Sequence, residues 1–100
     1  MLMAAPGVTM AAQEAQLLAI DGLNFIAKDS AALDRFMNLT GIAPHDFRVA
    51  ADEPEFLAGI LSFLMDHEAV LLAFAASAGI SPHHVASAHR ALSGTPALES

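Results

Sequence analysis

Phe36 followed by Gly41-Ile42-Ala43-Pro44-His45 returns, 38 positions further on, as Phe74 followed by Gly79-Ile80-Ser81-Pro82-His83. At the same shift Phe25 maps on Phe63, Ala31 on Ala69 and Leu33 on Leu71, so the likeness runs through two helical segments and their joint. A chain that repeats its own punctuation in this way is expected to fold as two tandem, sequence-similar helical units. The expected fold class is all-α, a compact bundle of about five to six short helices. The halves are placed at about residues 10–51 and 52–93 of a single domain spanning 9–94.

Turn and cap residues divide each half. A first helix is expected from about Met10 to Ala27, with Thr9 as its N-cap and with Leu17, Ile20, Leu23, Asn24 and Ala27 near one stripe that Leu18, Phe25 and Ile26 widen. Asp29 or Ser30 caps the second, whose inner face is Leu33, Phe36, Met37 and Thr40, and Gly41 supplies its left-handed stop. Pro44 opens a short third helix with Phe47, Ala50 and Ala51 on its apolar side. In the second half Glu53-Pro54-Glu55 precedes Phe56, Leu57, Ile60, Leu61, Phe63 and Leu64, which are expected to point inward. Asp66 is the expected cap of the next helix, Glu68 to Ala78, and Ser81-Pro82 starts the last, with Val85, Ala88, His89 and Leu92 at helical spacing. Gly22 and Gly59 fall inside helices and are expected to mark tight crossings. Residues 1–8 and 95–100 are expected to be flexible termini.

The copies differ where it matters for packing. Asp34, Arg35 and Asn38 of the first become Leu72, Ala73 and Ala76 of the second, which leaves the later helix almost without a polar side. Such a helix is expected at the centre of the monomer; the alternative is that it lends a face to a second subunit.

Composition excludes several functions. There are no cysteines, so disulfides, thiolate metal sites and cysteine nucleophiles are absent from the chain. Against eleven carboxylates stand only Lys28, Arg35, Arg48 and Arg90, and a net charge of −7 disfavours nucleic acid and anionic membrane surfaces. More than half of the residues are apolar, yet the runs from Phe56 to Met65 and from Ala69 to Ile80 fall short of the roughly 20 residues a membrane span needs. Both are read as soluble core helices separated by the charged Asp66-His67-Glu68 joint. The start of the chain lacks the basic residues of a secretory signal, and a cytoplasmic protein is the expectation.

Histidine is the one residue type that hints at a site, with His45, His67, His83, His84 and His89 in the chain. His45 and His83 are repeat equivalents after Pro44 and Pro82, and they are the candidate metal pair; the stronger reading is that they are polar residues at exposed helix starts. Asp66-His67-Glu68 places an acid, a base and an acid in sequence, but consecutive helical residues point apart and capping accounts for both acids. The serines sit at caps or in alanine-rich helices, there is no glycine-rich phosphate loop, and the five methionines form no stripe. No catalytic residue and no cofactor is therefore assigned, and an enzyme is not expected.

Phe36-Met37-Asn38-Leu39-Thr40-Gly41-Ile42, Glu53-Pro54-Glu55-Phe56-Leu57, the run from Ala69 to Ala76 and Gly79-Ile80-Ser81-Pro82 together resemble a family of small helical proteins from alphaproteobacteria catalogued as a domain of unknown function. The resemblance covers nearly the whole chain after about Ala12. It implies a stand-alone bacterial cytoplasmic domain and transfers no catalytic residue. The functional expectation is a non-enzymatic module that binds a protein partner or a second copy of itself through surplus apolar surface. The alternatives are a small apolar ligand held between the repeats by Phe36, Phe63, Leu71 and Phe74, and a weak histidine metal site.

Overall fold

The computed structural model describes residues 12–93, and these form six α-helices and one short 3-10 helix, with no strand among them. In order they are α1 (Ala12–Ala27), α2 (Ser30–Thr40), the 3-10 helix Pro44–Asp46 running into α3 (Phe47–Ala50), α4 (Pro54–Asp66), α5 (Glu68–Ala78) and α6 (Pro82–Ser93). The expected cap at Thr9 and both terminal segments lie outside the described residues.

Punctuation decides where these helices stop. Asp29 is the cap of α2: its Oδ1 accepts from the backbone N–H groups of Ala31 and Ala32 at 3.1 and 3.2 Å. Gly41 and Gly79 end α2 and α5 with φ of 72° and 71°, a backbone region closed to most side chains. The two stops are wired differently. After Gly79 the Ile80 N–H reaches back to the Ala75 carbonyl at 3.0 Å, the Schellman closure. At the first stop the Gly41 N–H bonds to Met37 O at 2.8 Å, while the Ile42 N–H is taken by the Thr40 hydroxyl at 3.2 Å. That hydroxyl donates in turn to Phe36 O. Thr40 has Ala78 at its repeat position, and alanine has no oxygen to offer.

The shared spacing thus extends to helix length and stop: α2 and α5 have eleven residues each. It does not extend to the third helices. Ser81 Oγ accepts from His83 N at 3.1 Å and α6 runs for twelve residues. Its counterpart after Ala43, which has no side-chain oxygen, begins as a 3-10 turn and ends within four residues of α-helix. Pro54 bars a longer helix here, because the residue before a proline is pushed out of the helical region and Glu53 sits at φ −95°, ψ 122°.

The bundle is organised around α4, which packs against α1, α5 and α6. All six residues expected to point inward from it, Phe56, Leu57, Ile60, Leu61, Phe63 and Leu64, are buried. The expectation that α5 is the central helix is overturned. Only Phe74 and Ala75 of α5 are buried, because the volume beside α4 is occupied by α1 and α6. Nor is α5 a core helix in the sense the sequence suggested.

The face of α1 also differs from the expected one. Its buried residues are Ala15, Ala19, Gly22, Leu23 and Ile26, whereas Leu17, Ile20, Asn24 and Ala27 are exposed. Small side chains explain the choice, since they let α1 approach closely: a Cβ built on Gly22 would lie 3.0 Å from Leu64 Cδ1 and 3.5 Å from Ile60 Cγ2. Gly22 is therefore a tight crossing, as expected. Gly59 is not, for a Cβ there would meet nothing within 4 Å.

Phe36 is the hub of the core. It is 1% exposed and packs edge-on against Phe47, Phe56 and Phe63, with ring centroids 5.8, 5.8 and 5.3 Å away, which ties α2 to α3 and α4. Phe74 belongs to a separate contact, with Phe25 at 5.6 Å, and holds α5 to α1.

Among the described residues no single helix is long and apolar enough to cross a membrane. The pair α4 and α5 has that length and apolar character when joined, but its axes are bent by 108° at His67.

Candidate functional site

The bend between α4 and α5 is built by His67, and Asp66 does not cap α5. Asp66 is the last residue of α4, and His67 serves both as the end of α4 and as the N-terminal cap residue of α5, with φ −124° and ψ 84°. Its imidazole folds back rather than outward. The ring stacks on Phe63 with centroids 4.2 Å apart, and Nδ1 is 2.8 Å from the Phe63 carbonyl. A carbonyl only accepts, so Nδ1 carries the hydrogen. Asp66 and Glu68 are both exposed, and the acid–base–acid run brings no two side chains into a working pair.

The Pro-His pair is placed on two separate helix starts. His45 lies on the 3-10 helix with its side chain 82% exposed and Nε2 3.5 Å from the neighbouring Asp46 carboxylate. His83 lies exposed in the first turn of α6. Among the described residues no three His, Asp or Glu side chains gather as a metal cluster.

Phe36, Phe63 and Phe74 are buried and Leu71 is partly buried. Phe36 and Phe63 pack on each other, while Phe74 packs on Phe25.

Among the described residues two apolar surfaces stand out. The first is the outer face of α5, where Ala69, Leu72, Ala73 and Ala76 are exposed at the i, i+3, i+4, i+7 spacing that makes one helical stripe. Leu72, at its middle, is 50% exposed. In α2, Asp34, Arg35 and Asn38 hold the equivalent positions and are exposed as polar residues should be. Two helices of equal length therefore turn the same registers toward solvent, one polar and one apolar.

The second surface is an open groove of about 830 Å³ between the C-terminal half of α1 and residues 44–52. Ile20, Leu23, Ala27, Phe47, Val49 and Ala51 line it as apolar walls, and Asn24, His45, Arg48 and Asp52 supply its polar groups. The helical period by itself places Ile20, Asn24 and Ala27 in the buried stripe of α1, so this groove was not legible from it. The signal was the spacing of Ala15, Ala19 and Gly22, small residues at i, i+4 and i+7 that mark the close-approach face and turn the larger side chains outward.

The arrangement defines a class: a small all-α domain centred on α4, with apolar surface left on α5 and beside α3. The chain belongs to the family described as Protein of unknown function (DUF3572), whose model matches residues 12–95. No curated protein and no solved structure matches it.

Proposed function

We propose that the protein is a non-enzymatic helical interaction module that associates with a second copy of itself through the outer face of α5. The observation that carries this reading is the exposed stripe Ala69, Leu72, Ala73, Ala76 on a helix whose inner side, Phe74 and Ala75, is already occupied. Burying that stripe removes apolar area from water at about 25 cal/mol per Å². Three alanines allow two helix backbones to approach closely around the two leucines, and an antiparallel pairing about a two-fold axis opposes the helix dipoles. Glu68 is the sole charged residue of α5 and stands at its first position, away from the centre of such a contact.

The interface is short. Eleven residues of helix span about 16 Å, and one stripe of three alanines and a leucine along that length is small beside the roughly 20–30 residues a side of a standard stable interface. The dimer is accordingly weak and reversible.

Sedimentation equilibrium over a wide concentration range tests the reading, with Leu72→Glu beside the wild type. A monomer–dimer equilibrium that Leu72→Glu abolishes is the expected result. A wild type that stays monomeric at several hundred micromolar, or a dimer indifferent to Leu72→Glu, overturns self-association through α5.

A further inference from the structure

The groove between α1 and residues 44–52 has an apolar bed, a volume within the roughly 300–1,000 Å³ of small-molecule sites, and a charged group with no partner among the described residues. That group is Arg48. Among the described residues the one ion pair is His45 with Asp46, and no hydrogen bond engages the Arg48 guanidinium. Lys28, Arg35 and Arg90 form no ion pair among the described residues either, but Arg48 is the one of the four basic residues that lines this groove. Asp52 lines the same groove without coming within ion-pair distance of Arg48.

We infer that this groove binds an amphipathic monocarboxylate, an acyl chain of medium length with its carboxylate on Arg48 and its hydrocarbon over Ile20, Leu23 and Phe47. A planar guanidinium takes a carboxylate through two parallel hydrogen bonds, which a hydroxyl head group cannot reproduce. His45, at the same groove, adds a ring nitrogen that serves as a second donor. The Asp52 carboxylate repels a second negative charge, which selects a monoanion over a dicarboxylate or a phosphate ester. The chain rather than the head supplies most of the binding, at about 0.8 kcal/mol for each buried methylene.

The experiment is a titration of the full chain with decanoate and, separately, with 1-decanol, followed by amide chemical shifts. Running both on Leu72→Glu keeps ligand binding separate from self-association. Decanoate is expected to bind saturably with the largest shifts at Ile20, Leu23 and Val49. Arg48→Gln should weaken decanoate about fivefold, the size of one exposed charged contact, and leave decanol unchanged. Ile20→Glu, at a position already 37% exposed and so tolerated by the fold, should abolish binding of decanoate. Equal affinity for decanol and decanoate, an Arg48→Gln protein that binds decanoate as before, or shifts centred on α5 would each overturn the assignment.

Discussion

A methyl group added at Gly22 would enter a wall of side chains that cannot swing aside, because Leu64 and Ile60 are both fully buried. The same methyl at Gly59 would enter open space. Both glycines sit in helix interiors, where alanine is preferred by about 1 kcal/mol, so the two substitutions have opposite signs. Gly59→Ala should stabilise the fold by about 0.5–1 kcal/mol, and Gly22→Ala should destabilise it by about 1 kcal/mol after overpacking outweighs the helical gain. Urea denaturation of both variants measures this, and a stabilised Gly22→Ala would mean that α1 is free to move off α4. Phe36→Ala removes the ring that joins α2, α3 and α4 and should cost about 3–5 kcal/mol by the same assay. At this scale the sequence was readable where one residue answers one geometric need. Gly41, Gly79, Asp29 and Pro44 act as read. Asp66 does not, because His67 gains a stacked ring and a carbonyl hydrogen bond by occupying the cap position itself.

Among the elements, α4 and α5 look alike in composition and live in different surroundings. Six side chains of α4 are buried and two of α5. Local opening follows buried contact, so amide hydrogens of α5 should exchange markedly faster than those of α4 in dilute protein. If the proposed dimer forms, hydrogen exchange repeated at several hundred micromolar should then slow α5 selectively. Uniform protection across both helices would place α5 in the core after all. The misreading of α5 has a plain origin. Apolar residues all round a helix announce that every side prefers to be covered, but not whether the cover comes from the same chain. The phase of α1 was misread for a related reason: Leu17 and Ile20 are more hydrophobic than Ala15 and Ala19, yet the smaller residues win the interface because α1 and α4 gain more contacts by approaching closely.

For the molecule as a whole, the net charge of −7 opposes the self-association proposed through α5. Screening that repulsion should strengthen the dimer, so raising ionic strength from about 0.05 to about 0.5 M is expected to tighten association several-fold by sedimentation. Association that weakens with salt would instead indicate an interface built on ion pairs.

Residue order by itself determined the all-α class, the number of helices, their stops and the inward face of α4. These follow from local chemistry: left-handed glycines, prolines at first turns, a capping aspartate and the helical period act within a few residues of where they stand. Only the tertiary structure decided which helix is central, which face of α1 is buried, that Gly59 touches nothing, and that a groove opens beside Arg48. Those outcomes depend on competition among several apolar faces for one interior, and the winner is set by how closely backbones approach. That quantity belongs to pairs of helices and is written in no single stretch of the chain.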